Sequence, residues 1–250
     1  MFTTFVLTVE QPDGLRRRHL AEECERLGLA CHCVQGVTFG DREISETYSV
    51  LSNLFYSKRS MTQGEIACYI GHRRTWQAFL DSGAEVALIC EDDFKSINDA
   101  DFREVLDRAV SRDDWDILKL FDFAPKKILH SVPLGSLSIV DYKYPAAGAV
   151  CYLIRRKAAL RLLRRKKIFR PVDEDFLYCW EFGLRVRSVY PNPVAEVAAD
   201  LGGSVLEAER VSIKRNRNRI RSLWGMFLAG YKQIRSKAYR ASLRRGADNS

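Results

Sequence analysis

The chain has 250 residues, 46% of them hydrophobic, and a net charge of +8. That is enough apolar sequence for the core of one large domain, or of a domain with an appendage, and no repeat or low-complexity tract precedes the C-terminal segment. The charge is uneven: eleven basic residues and one acid, Asp248, lie from Ser212 onward, which leaves residues 1–211 slightly acidic.

Two regions with two roles are therefore expected, a body over 1–211 and a basic tail over 212–250. A slightly acidic body argues against a DNA-binding domain. There are seven cysteines and no C-x-x-C pair, and Cys31-x-Cys33 alone is a poor zinc signal, so reduced thiols in a cytosolic compartment are expected. The opening "MFTTFVLTVEQPDG" lacks the basic start and long apolar core of a signal peptide. No apolar run approaches the roughly 20 residues that span a bilayer.

In chain order, Phe5–Glu10 is apolar and β-branched and runs into a Pro-Asp-Gly turn, so it reads as a strand. Leu15 to Leu27 has helical spacing and stops at Gly28, and Ala30–Val37 reads as a second strand. This β-α-β start favours a parallel sheet. Residues 38–60 look irregular. Thr62 and Glu65 then form a T-x-x-E capping box, which starts a helix near Gln63 that Gly83 closes. Tyr69, His72, Trp76 and Phe79 share its inward face. "VALIC" is a buried strand, residues 99–111 a helix, Trp115–Phe121 and Gly148–Ile154 strands, Arg155–Arg165 a helix and Leu184–Pro191 an outer strand. Residues 122–147 show no clear pattern, which suggests a binding loop or a missed element.

"VALIC" runs straight into Glu91, Asp92 and Asp93. In open α/β sheets ligands bind beyond the carboxyl ends of the strands. Three adjacent carboxylates repel one another, and a divalent cation relieves that. Residues two apart on an extended strand are roughly 6.5–7 Å apart, too far for Glu91 and Asp93 both to grip one octahedral ion directly. One carboxylate would bind the ion while another acts through water or a sugar hydroxyl. The plainer alternatives are a helix cap or a solvated loop.

A second acidic cluster, "PVDEDF", follows a basic helix. It is either a helix N-terminus with Asp173 as cap, or a place to present a catalytic carboxylate, Asp173 first and Asp175 second. His72 is either a satisfied core residue or a contact to a substrate diphosphate. In the tail, Ile220, Leu223/Trp224, Phe227, Tyr231 and Ile234 form one apolar stripe among Arg and Lys. That pattern fits a helix lying on a membrane surface, docking onto the body, or, less well, binding nucleic acid.

Taken in order, "MTQGEIACYIGHRRTW", "ALICEDDF", "WDILKL", "AGAVCYLIRRKAALRLL", "RPVDEDF" and "VYPNPV" resemble glycosyltransferase family 25 over Phe5 to Glu207. The resemblance implies an α/β, GT-A-type, Rossmann-like and mostly parallel sheet flanked by helices, followed here by the basic amphipathic helical tail. It implies an inverting hexosyltransferase with a UDP-sugar donor, commonly UDP-galactose, and a divalent metal, Mn²⁺ or Mg²⁺. The acceptor would be a lipooligosaccharide or other lipid-linked cell-surface glycan. The tail would hold the protein on the inner face of the cytoplasmic membrane, with no nucleic acid involved.

The resemblance also implies roles. Asp93 and Glu91 stand at the D-x-D-like metal motif, with Asp92, His72, Thr8 and Glu10 around the donor, and Asp173 and Asp175 as candidate bases. Thr8 stands where the family has asparagine after its first strand, and Ala67 where it has glycine. A metal-dependent nucleotidyltransferase and a non-catalytic member of the transferase fold are the competing readings. The former normally has a glycine-rich phosphate loop near its first strand, and "TVEQPDGLRR" is not one.

Overall fold

The structure is a computed structural model, and residues 2–203 and 219–247 are described. The boundary at 211/212 and the first basic residues of the tail lie outside the described residues. β1 (Thr3–Thr8), α1 (Leu15–Leu27) and β2 (Cys31–Gln35) form the expected β-α-β unit. Gly28 ends α1 at φ 67°, a conformation that costs glycine nothing. This turn brings Cys24 and Cys31 to a Cα–Cα distance of 6.4 Å, and they are joined by a disulfide. The expectation of reduced thiols throughout fails at that pair.

Residues 38–60 are not irregular. They hold two short helices, α2 (Arg42–Thr47) and α3 (Val50–Tyr56), capped by the side chains of Asp41 and Ser49. α4 (Gln63–Asp81) starts on the full Thr62/Glu65 capping box. It lies directly on β1: a Cβ added at Gly71 would sit 2.5 Å from Leu7 Cδ1.

The rest of the body is β3 (Val86–Glu91), β4 (Phe94–Ser96), α5 (Asp99–Val110), β5 (Ile117–Lys119), β6 (Ile128–Leu134), β7 (Leu137–Tyr142), β8 (Cys151–Arg155), α6 (Arg156–Leu163), α7 (Val172–Leu177), β9 (Val186–Tyr190) and β10 (Val194–Glu196). Residues 122–147 are therefore the missed element, a β6–β7 hairpin. α5 is capped by Asn98, not by the acidic triad.

The main sheet runs β2-β1-β3-β8-β5-β9-β7-β6, and β4 pairs with β10 in a second, two-stranded sheet. β1 is parallel to β2 and β3, and β5 to β9, while β8 and β7 run against their neighbours. The sheet is thus mostly parallel, Rossmann-like and flanked by helices, as a GT-A-type fold requires. β9 is an interior strand between β5 and β7, not an outer one. Strand alternation splits the core in two. Phe5, Ile89, Tyr152 and Ile154 pack with Trp76 and Phe79 of α4 and Leu162 of α6. Val6, Leu88, Cys90 and Leu153 pack on the other face with Leu20 of α1 and Phe102 of α5. Each such buried side chain contributes about 1.5–3 kcal/mol. A long C-terminal helix, α8 (Arg219–Ala247), lies against the body.

Candidate active site

At the carboxyl edge of β1, β2 and β3 there is a cavity of about 880 Å³. Its walls come from Thr8 to Glu10, the segment after β2, the start of α4, Glu91 to Asp93, Pro171 to Asp173, Glu196 and Gly202–Gly203. This is where an α/β sheet of this kind binds its ligand. Among the described residues, seven of the lining side chains are carboxylates (Glu10, Glu65, Glu91, Asp92, Asp93, Asp173 and Glu196), and Arg16 is the one basic residue with them.

The triad splits into distinct roles because the β3 strand ends inside it. Asp92 is buried and committed to protein partners: Thr8 Oγ1 donates to its Oδ2 at 2.6 Å and Arg16 Nη1 to its Oδ1 at 2.6 Å. Arg16 also reaches Asp93 Oδ2 at 3.1 Å. Asp93 Oδ1 is buried and has no hydrogen-bond partner among the described residues. Burial pushes the Asp93 carboxyl up to about 7, the charge of Glu91 adds to this, and Arg16 only partly opposes it. Glu91 is partly exposed to the cavity. The chemistry of this donor set fits a hard divalent cation at Asp93 Oδ1 with Glu91 beside it. A cation there would offset the burial and the Glu91 charge that raise the Asp93 carboxyl.

His72 does not reach the cavity as the resemblance implied, because it is fully buried. Trp76 Nε1 donates to Tyr152 Oη at 2.8 Å, and Tyr152 Oη lies 3.0 Å from His72 Nδ1. Glu91 as a carboxylate can only accept, which assigns the donor role to His72 Nε2 and leaves Nδ1 to accept from the Tyr152 hydroxyl. The imidazole proton is then on Nε2, which donates to Glu91 Oε1 at 3.3 Å. Cys68, His72 and Glu91 offer ligand-type atoms within 4.8 Å of one another. In the structure as it stands, the His72 Nε2 contact orients Glu91 in the cavity wall.

Thr8 is likewise 2% exposed, with its hydroxyl spent on Asp92. It positions the triad and leaves no donor for an incoming base. Glu10 lines the cavity, where its Oε2 accepts from the backbone of Arg16 at 2.9 Å.

The two candidate bases part company. Both sit in the first turn of α7, whose cap is Pro171 and not Asp173. Asp173 lines the cavity. Asp175 is fully buried, 2.9 Å from Arg170 Nε and 3.1 Å from Arg165 Nε, and Tyr69 Oη donates to it. It is a structural anchor with no path to a substrate, which corrects its assignment as a base.

A model of glycosyltransferase family 25 (LPS biosynthesis protein) matches residues 1–177. The chain belongs to glycosyltransferase family 25. Procollagen galactosyltransferase 1 of Danio rerio is 31% identical over 130 residues, 48% of this chain and 20% of its own length. Human inactive glycosyltransferase 25 family member 3 is 29% identical over 184 residues, 68% of this chain and 30% of its own. The chain thus spans less than a third of these relatives. Among solved structures, a Drosophila β1,4-galactosyltransferase 7 mutant in complex with manganese, UDP-Gal and xylobiose aligns at TM-score 0.41 and 14% identity, covering 88% of this chain and 82% of that one.

The family 25 match includes the triad and Asp173 and stops before Glu196. Sequence reasoning missed Arg16 and Glu196. Arg16 is one of three consecutive arginines, with nothing in the run to say which faces the triad. Glu196 reaches the cavity only through the β4–β10 pairing.

Proposed function

We propose that this family 25 chain is an inverting, metal-dependent hexosyltransferase. It moves galactose from UDP-galactose onto a lipooligosaccharide or another lipid-carried cell-surface glycan, at the inner face of the cytoplasmic membrane. The observation that carries the reading is that, among the described residues, Asp93 Oδ1 has no hydrogen-bond partner and lies in a cavity lined by seven acidic side chains and one basic one. An anionic diphosphate is repelled by such a wall unless a cation accompanies it. Asp93 and Glu91 would hold Mn²⁺ or Mg²⁺, which supplies neutralisation of the leaving diphosphate.

The protein's own groups do the rest. Arg16 fixes Asp92 and one oxygen of Asp93, so the remaining oxygen faces a defined point. The Trp76–Tyr152–His72 chain holds Glu91 in one orientation. Asp173, across the same cavity, accepts the proton of the acceptor hydroxyl as that oxygen attacks the anomeric carbon opposite the leaving group.

The test is UDP release from a panel of nucleotide-sugars with and without Mn²⁺. Release that is selective for one donor and lost in EDTA supports the reading, and no release with any donor or acceptor counts against it. Asp173→Asn should lower transfer by about 10²–10⁴-fold while donor binding, read by calorimetry, is kept. Near-wild-type turnover would remove Asp173 from the role.

A further inference from the structure

α8 lies on the body mostly by polar side chains, with Leu228 buried and Tyr239 packed on the core among them. Arg221 donates to Asn53 and, at 3.1 Å, to Ser60 Oγ. A Cβ added at Gly225 would be 3.0 Å from Lys58. Lys232 sits over the Tyr178 ring, Ser236 is buried, and Arg240 donates to the carbonyls of Tyr142 and Lys143. With Leu228 buried between Gly225 and Lys232, these positions recur every three or four residues and form one face of the helix. The apolar stripe points the other way: Leu223, Met226, Phe227 and Ile234 are 64%, 64%, 61% and 70% exposed. A helix that merely covered the body would be turned over.

The stripe continues onto a second element. Trp224 stacks on Phe227 with ring centroids 5.1 Å apart and donates from Nε1 to the carbonyl of Phe55 in α3 at 2.9 Å. On α3, Val50, Leu51, Leu54 and Phe55 are all exposed by half or more. Contiguous exposed apolar surface on two helices marks an interaction site.

Charge identifies the occupant. α3 contains no acid, and α8 carries eight basic residues and no acid. Arg235 and Lys237 of α8 are exposed, and Lys58 follows α3 at 62% side-chain exposure. A second copy would bring two strongly basic helices together. A surface of anionic headgroups over acyl chains matches both the charge and the apolar stripe. No helix among the described residues is long and apolar enough to cross a membrane, so the contact lies on the surface.

We propose that α3 and the outward stripe of α8 form one surface that seats the chain on an anionic lipid bilayer. The apolar side chains enter the acyl boundary, and Lys58, Arg235 and Lys237 meet the headgroups. The surface adjoins the cavity: Lys58 lies 3.8 Å from Glu174, the neighbour of Asp173, and Arg59 pairs with Glu65 of the cavity wall. This deepens the reading of a lipid-carried acceptor by naming how the acceptor's surface is met.

The test is flotation of the full chain with vesicles of phosphatidylcholine, with or without phosphatidylglycerol. The chain should float with the anionic vesicles and much less with the neutral ones. Leu51→Asp/Phe55→Asp in α3 and Phe227→Asp/Ile234→Asp in α8 should each lower the bound fraction by about ten-fold or more. Arg235→Glu and Lys237→Glu should each lower it by about five-fold or more. All these side chains are exposed, so the melting temperature should hold.

A wild-type chain that stays unbound with both vesicle types overturns the proposal. So do α3 variants that float like wild type, or a dimer, seen by light scattering, that the same substitutions dissolve. Flotation needs no turnover, and UDP release from a soluble donor needs no vesicle, so failure of this surface and failure of the transferase reading are read separately.

Discussion

Asp173 and Asp175 are two residues apart on one helical turn and live in opposite surroundings. Asp173 opens to the cavity, and Asp175 is sealed between Arg165, Arg170 and Tyr69. Burial pushes the Asp175 carboxyl up to about 6 against the pull of the two arginines. A carboxyl whose value is raised by folding favours the folded state while protonated in both states, and that advantage is lost as pH rises from near 4 through about 6. The wild-type fold should therefore lose roughly 3 kcal/mol from this group across the window. Asp175→Asn, followed by urea unfolding at stepped pH, should flatten the profile there; an unchanged slope would show that the group does not titrate as described. Sequence alone suggested both residues as bases, because "DED" after a basic helix carries no sign of which carboxylate meets the arginines. The triad was more legible. Three carboxylates ending a buried strand say where the charge is, though not that Asp92 is spent on Thr8 and Arg16.

At the scale of elements, the long amphipathic pieces were readable and the short ones were not. α1 and α4 carry both a period and a stop signal, and the Thr62/Glu65 box is present as read. α2 and α3 span six and seven residues, too few turns for a period to show. β9 looked like an outer strand because polar and apolar residues alternate along it, Arg187 among them. That side chain is nonetheless buried, satisfied by Asp114 at 2.6 Å and Asp141 at 3.1 Å. Alternation reports polarity, not neighbours. The close seating of α4 on β1 sets where Glu65 and Thr8 stand. Gly71→Ala should push Leu7 aside and cost about 1–3 kcal/mol, read as a lower urea midpoint with an unchanged slope.

At the scale of the whole molecule, the charge division between body and tail was visible in the sequence, and the strand order was not. Composition does not say which strands become neighbours when β8 returns from residue 151 to run beside β3. The acidic cavity is a property of this assembled sheet, since Glu10, Glu91, Asp173 and Glu196 come from four distant segments. If a cation completes it, Mn²⁺ at 100 times its dissociation constant should stabilise the fold by about 2.7 kcal/mol. A rise in melting temperature that EDTA reverses and Asp93→Asn abolishes is the expected outcome. No rise would count against the site.

The strand order also governs how the chain can be divided. β3 and β5 are separated by β8, and β5 and β7 by β9, so the middle of the sheet is closed by strands made late in synthesis. The span that matches the family model ends at residue 177, before β9 begins at Val186. A chain cut there would expose one edge of β5 and leave β7 with no partner but β6. It should emerge as a collapsed, aggregation-prone species without a cooperative unfolding transition. The family-matched segment should therefore not fold on its own, and its cavity should form only once the strand beyond it has left the ribosome.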